Sequence, residues 1–231
     1  MSCIAIITAR GGSKRIPRKN IKDFLGKPII AYSIETALAS KLFDEVMVST
    51  DDPEITQIAQ KYGAKVPFQR SKKASDDFAT TAEVINEVLD TYQQLGRGFS
   101  TACCIYPTAP FISTELLQQA SKILKEGVFD TVFPVVRFSY PIQRCLVQTP
   151  ESKFILREPQ YINTRSQDLE PCFHDAGQFY FFDVPTFIRQ GRLMTNNTSC
   201  IEISELAAQD IDNEQDWKLA ELKYQLLYEK L

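Results

Sequence analysis

The chain has 231 residues, 44% of them hydrophobic and 24% charged, the composition of a globular domain long enough to bury a core. A net charge of −3 and a pI near 5.4 argue against a general nucleic-acid binder, whose domain would be basic throughout. No apolar run approaches the roughly 18 residues needed to cross a membrane, and the N-terminal apolar stretch meets Arg10 too soon for a signal peptide. The six cysteines (Cys3, Cys103, Cys104, Cys145, Cys172, Cys200) show no Cys-x-x-Cys spacing, so a reduced, cytoplasmic protein without nucleic-acid or membrane partners is expected.

Along the chain, the apolar run 3–7 predicts a buried first strand, and the segment 8–20, Thr-Ala-Arg-Gly-Gly-Ser-Lys-Arg-Ile-Pro-Arg-Lys-Asn, is the loop leaving its carboxyl end. In open α/β sheets that end is where ligands bind. Arg10, Lys14, Arg15, Arg18, Lys19, Lys22 and Lys27 stand against Asp23 alone, so this stretch carries +6 in a chain of net −3. Gly11 and Gly12 let backbone approach closely, and with Ser13 the stretch suits a polyphosphate better than a merely solvated basic loop. It fits neither Gly-x-Gly-x-x-Gly nor the P-loop spacing, so side-chain cations must act beside backbone amides, Arg as a bidentate fork and Lys as a point charge.

Apolar spacing predicts a helix over 29–39, a strand over 46–48, and a helix from Asp52-Pro53 to Tyr62 that stops at Gly63. A short strand over 65–68, a polar loop to Asp77, a helix from about Thr80 to Leu95 and a strand over 103–106 follow. A helix opening at Ser113 and a strand over 131–136 complete a βαβ series. The fold class is therefore α/β, a Rossmann-like, doubly wound and mostly parallel sheet forming one domain over 1–231. Residues 137–171 show no clear helix and recurrent proline, an inserted arm serving as subunit contact or substrate lid. Residues 179–182 return to the sheet, 201–203 are strand-like, and a helix over 214–228 closes the chain.

Two further constellations bear on chemistry. Asp210 and Asp212, two apart in extended backbone, point to one side and can hold one Mg²⁺ beside nucleotide phosphates. Asp212 with Gln215 three residues on also reads as a capping box for the last helix. The segment 173–180 holds the single histidine, His174, beside Asp175, with Gly177 allowing close approach; polar contact to a substrate and surface packing fit it equally.

Together these pieces resemble the CMP-sialic acid synthetase family, the cytidylyltransferases that activate nonulosonic acids. The matching segments run through nearly the whole chain in order: residues 9–14 with Pro17, Lys19 and Asn20, then Gly26-Lys27-Pro28, Ser49-Thr50-Asp51, Ala74-Ser75-Asp76 and Asp210-Ile211-Asp212. Residues 106–111 and 174–180 are similar to the branch acting on pseudaminic acid; the sialic acid enzymes typically carry Gln in place of Tyr106 and Arg-Pro-Asn-Gly in place of residues 174–177. The resemblance implies attack of the sugar's anomeric hydroxyl on the α-phosphorus of CTP, releasing pyrophosphate. It implies nucleotide contacts from Arg10, Gly11, Gly12, Ser13, Lys14, Lys19, Asn20, Arg70, Thr80 and Thr81, with Arg10, Lys19 and Asp210 catalytic and Mg²⁺ on Asp210 and Asp212. Tyr106, Gln143, Arg144, Arg165, His174 and Gln178 are the candidates for the nine-carbon 2-keto sugar acid, and a homodimer through the 137–171 arm is implied. The same reaction on N-acetylneuraminic or legionaminic acid, a metal-dependent glycosyltransferase and a nucleotide-sensing module are the alternatives.

Overall fold

The computed structural model describes residues 2–228. Its centre is strand β1 (Cys3–Thr8), whose residues Ile4 to Ile7 are wholly buried because helices cover both faces of the sheet. The basic loop follows, then a two-strand hairpin, β2 (Asp23–Phe24) and β3 (Lys27–Pro28), which is not among the predicted elements. Helix α1 (Ile29–Ser40) leads to β4 (Glu45–Ser49), and α2 (Pro53–Lys61) to a polar stretch. The strand predicted over 65–68 is absent: Lys65 makes one isolated bridge to Met47. Helix α3 (Thr81–Gln94), strand β5 (Thr101–Ile105), helix α4 (Thr114–Lys125) and strand β6 (Thr131–Arg137) continue the alternation.

The region 138–172 contains only 3₁₀ turns and a hairpin, β7 (Leu146–Gln148) with β8 (Phe154–Leu156), among the described residues. The chain returns through β9 (Phe173–Asp175) and β10 (Phe179–Asp183), then α5 (Val184–Gln190), β11 (Thr198–Glu202) and α6 (Glu214–Tyr228). Helix α5 was unforeseen; its Asp183 N-cap, Pro185 and C-terminal Gly191 are the local signals for it.

The sheet runs β11-β6-β10-β5-β1-β4, with β9 also paired to β6. Strand β1 lies parallel to β4 and β5, but β10 is antiparallel to both of its neighbours, and β9 is antiparallel to β6. The crossover from β5 to β6 thus skips one position, which β10 fills from the far side of the arm, so the sheet is mixed where a continuous βαβ series was predicted. The Rossmann-like α/β class holds.

Three apolar clusters fix the layers. Helices α1, α2 and α4 bury Ile30, Ile34, Ile55, Leu117 and Leu124 on one face of the sheet. Helices α3 and α5 bury Ile85, Val88, Tyr92 and Phe187 on the other. The third cluster joins Ile16 of the basic loop, Phe24, Ile29, Tyr32, Phe111, Ile211 and Trp217. Here the rings of Phe24 and Trp217 meet edge-to-face at 5.6 Å, and Lys22 lies 4.6 Å over the indole. Trp217→Ala should therefore lower the unfolding free energy by about 3–5 kcal/mol, read by chemical denaturation.

Candidate active site

At the carboxyl ends of β1 and β5 opens a cleft of about 600 Å³. The basic loop forms one wall with Arg10, Ser13, Lys14, Arg15, Lys19 and Asn20; Arg70, Thr81, Tyr106 and Asp210 close the others. Four of the seven clustered cations therefore face it. The remaining three are engaged elsewhere: Arg18 pairs with Asp52 and Glu54, Lys22 with Glu214, and Lys27 with Glu35. Arg70 adds a fifth lining cation, and Asp76, Asp77 and Asp210 line the cleft opposite them, so its field is weaker than the sequence total of +6 suggests.

The loop is held from both ends. The side chain of Asn20 is buried and donates to the Arg10 carbonyl at 2.8 Å, tying exit to entry. The Ala9 amide donates to Ser49 at the end of β4, and the Gly11 amide to the Asp51 carboxylate at 3.0 Å. A Cβ on Gly11 would meet the Asp52 carboxylate at 2.6 Å, so only glycine lets the loop lie against this turn. Gly12, with nothing within 4 Å of a Cβ, is not constrained in that way.

Arg70 is 7% exposed and donates to the Ser49 hydroxyl at 3.0 Å and to the Ser49 carbonyl. Burial brings its guanidinium down to about 10, with Asp51 and Glu87 opposing the shift. It is an anchored cation whose lining position is set by β4. Thr81 shares the cleft, whereas Thr80 does not: its side chain caps α3, reciprocally with Glu83, so that hydroxyl is already committed.

The acidic segment enters from the other side of the chain. Lys19 donates through Nζ to the Ile211 carbonyl at 2.7 Å, between Asp210 and Asp212. Loss of solvation lowers the Lys19 ammonium, and the two aspartates oppose that. Partial desolvation and the charge of Asp212 raise the Asp210 carboxyl, against Lys19 and Arg15. Lys223 from α6 donates to the carbonyls of Glu205 (3.0 Å) and Ala208 (2.8 Å), and Gln178 to that of Ala207 (2.6 Å), fixing the approach to the pair.

Asp212 does not cap α6. Asn213 does: its Oδ1 accepts from the amides of Gln215 (2.8 Å) and Asp216 (3.1 Å), while Asp216 accepts from those of Asn213 and Asp212. The capping box lies one residue later than the spacing predicted. The Asp212 carboxylate is left for Arg15 at 2.7 Å. The Asp210 carboxyl, raised in part by the charge of Asp212, and the Asp212 carboxylate two residues on are hard oxygen donors of the kind a divalent ion takes together with other oxygens. No group of three or more acidic, His or Cys side chains able to hold a metal alone occurs among the described residues.

Asp77 is the cleft residue that sequence reasoning missed. Its carboxylate pairs with Arg10 at 2.9 Å and with Lys14. An acidic residue in a polar loop is too common a pattern to single out.

Tyr106 lies half-buried at the end of β5, its amide bonded to the Gln178 carbonyl at 2.8 Å and its hydroxyl 3.5 Å from that of Thr81. Its ring meets Tyr180 edge-on at 5.9 Å, and the Tyr180 hydroxyl bonds the Asp175 carboxylate. Burial raises both phenols, so these tyrosines are hydrogen-bonding groups at neutral pH, not bases.

The other sugar candidates fall outside this cleft. Gln178 is 2% exposed and Gln143 9%, each with its side-chain amide donated to a backbone carbonyl, at Ala207 and Glu170. Arg165 pairs with Asp168 at 2.7 Å, Arg144 reaches Ser166 at 3.4 Å, and the exposed His174 ring lies tilted against Phe138 with ring centres 5.0 Å apart. The arm carries Gln143, Arg144 and Arg165 away from the cations of the same chain.

A cationic loop and an acidic pair meeting at the carboxyl ends of parallel strands define a nucleotidyltransferase. Residues 4–216 match the cytidylyltransferase family model, and the chain belongs to that family. It is 40% identical over 229 residues, 99% of both chains, to the pseudaminic acid cytidylyltransferase of Campylobacter jejuni subsp. jejuni. It is 31% identical over 238 residues, 100% of both, to the CMP-N,N'-diacetyllegionaminic acid synthase of Legionella pneumophila. In fold it is similar to a CMP:2-keto-3-deoxy-manno-octonic acid synthetase complexed with CTP (TM-score 0.71, 18% identity, 100% of both chains). A 4-diphosphocytidyl-2C-methyl-D-erythritol synthase from Anaerococcus prevotii is similar too (TM-score 0.63, 16% identity, 97% and 98% covered).

Separating the cap from the carboxylate gives a direct check: Asn213→Ala should cost about 0.5–2 kcal/mol in thermal or chemical unfolding. Asp212→Asn, which leaves the cap intact and disturbs an exposed ion pair, should change stability by less than about 0.5 kcal/mol in the same measurement.

Proposed function

We propose that this cytidylyltransferase converts CTP and pseudaminic acid to CMP-pseudaminic acid and pyrophosphate. The observation that carries the reading is the meeting of Lys19 with the Asp210–Asp212 segment across the cleft, joined to 40% identity over the whole length of a relative named for that sugar. Arg10, Lys14 and Lys19 hold the triphosphate, and Arg10 and Lys19 neutralise charge that moves onto the departing pyrophosphate. Displacement at phosphorus needs positioning and charge stabilisation rather than a covalent nucleophile. Asp210 and Asp212 would hold Mg²⁺, which supplies further neutralisation of the phosphate oxygens when bound. Arg70 and Thr81 border the nucleoside end of the cleft, and Tyr106 offers its hydroxyl to the sugar.

The remaining sugar contacts and a homodimer are proposed together. Leu146, Val147, Phe154 and Ile155 on the β7–β8 hairpin are all exposed, with Phe154 at 64%. A two-strand hairpin is marginal in water on its own and gains stability by packing its apolar side chains. Seated on a second copy, the arm would bring Arg144 and Arg165 toward that copy's cleft, as cations for the sugar carboxylate. Light scattering should give twice the 26.3 kDa chain mass; a clean monomer at micromolar concentration refutes the arrangement.

Pyrophosphate release with CTP and a panel of nonulosonic acids tests the reaction. Pseudaminic acid should turn over fastest, and equal or better turnover of N-acetylneuraminic or legionaminic acid overturns the substrate assignment. In that assay Arg10→Ala and Lys19→Ala should each lower kcat/KM by about tenfold to a thousandfold. Asp210→Asn should cripple turnover and recover in part as Mg²⁺ is raised.

A further inference from the structure

Arg18 belongs to the basic loop but turns its back on the cleft. Its backbone sits in the left-handed region, φ 56° and ψ 28°, which a side chain disfavours. Such an outlier persists only where its surroundings over-determine it. Here the guanidinium makes a fork to both oxygens of Asp52 (2.5 and 3.0 Å) and a further bond to Glu54 (2.5 Å). Asp52 is itself fixed: it caps α2 by accepting from the Glu54 and Ile55 amides at 2.9 and 3.0 Å. Arg18 and those amides hold its carboxyl down at about 2, so it is fully charged at neutral pH.

The same carboxylate lies against Gly11: a Cβ there would fall 2.6 Å from Oδ2, the oxygen that Arg18 Nη1 holds, while the Gly11 amide bonds Asp51 next door. Arg18 thus grips the group that shapes the loop immediately after Arg10. We propose that Arg18 is a positioning residue for nucleotide binding: through Asp52 it holds the Gly11 backbone, and with it Arg10 and Ser13, in the conformation that accepts the triphosphate of CTP. This rests on the functional reading above, and Arg18 acts without touching the ligand.

Two variants separate this role from simple folding. Arg18→Gly removes the clamp while glycine takes the left-handed backbone without strain, so the fold should be kept. Asp52→Asn keeps the helix cap, since Asn serves there about as well as Asp, yet loses the charge that Arg18 grips. Calorimetric titration with CTP and Mg²⁺ should show each variant binding CTP about tenfold more weakly, and the double variant no worse than either single one, because both break one linkage. In pyrophosphate release, KM for CTP should rise with KM for the sugar unchanged; a purely structural role would lower the melting temperature and leave the CTP affinity of the folded protein intact. Arg18→Lys should recover part of the affinity.

A parent chain that fails to bind CTP overturns the functional reading. A parent that binds, with both variants within twofold of it, overturns the clamp alone. Where Arg18→Gly does not fold, Asp52→Asn decides by the same criterion.

Discussion

The cleft exists because Ile16 and Ile211 are buried in the same aromatic cluster. These residues sit on the basic loop and on the acidic segment, at opposite ends of the chain, and neither is wholly surrounded until Phe24, Tyr32, Phe111 and Trp217 close around both. Fully burying one such side chain is worth about 1.5–3 kcal/mol, whereas an exposed ion pair gives about 0–1 kcal/mol. Packing therefore decides where the loop and the acidic segment meet. The hydrogen bond from Lys19 to the Ile211 carbonyl follows from that placement and does not create it.

Charge then decides what the placement can do. Each cation of the loop has a carboxylate nearby, but the pairs divide in kind. Arg18 is gripped by a partly buried aspartate that also caps a helix, while Arg15 meets Asp212 and Lys14 meets Asp77 with most of the cation in solvent. Contacts of the second kind are weak and are readily exchanged for a multiply charged anion, which offers several oxygens in place of one carboxylate. The structural cations hold the loop; the exchangeable ones face the cleft.

The buried first strand, the loop after it and most helix bounds were legible because each has a local signal. Apolar run, glycine, proline and capping residue all act within one turn or one strand. Strand direction has no such signal. Residues 179–182 are buried whether β10 runs parallel or antiparallel, so its insertion between β5 and β6 could not be read from hydrophobicity. The capping box slipped by one residue because Asp212, Asn213 and Asp216 offer two overlapping caps, and the choice falls to whichever places Ile211 and Trp217 in the core. Counting seven cations overstated the field for a similar reason: Arg18, Lys22 and Lys27 have partners on α1, α2 and α6 that only the fold reveals. The cleft lining was legible in outline, at Arg10, Lys14, Lys19, Arg70 and Asp210, while the burial of Gln143 and Gln178 and their bonds to backbone carbonyls have no local signal.

The position of β10 also sets the order in which the sheet can be built. β4, β1 and β5 can pair as soon as residue 105 is available. Strand β6 cannot join them directly; it waits for the chain to run out through the arm and back, and β11 waits for β6. The pairing of β10 with β5 is non-local, as that of β5 with β1 is, and loop closure slows both. During that interval β5 presents an unpaired edge, apolar in all but Thr101, the kind of surface that pairs with whatever strand is nearest. Pairing of β10, β6 and β11 with the rest therefore waits on the return of the chain through 138–172, and until then the β4-β1-β5 portion keeps that edge open.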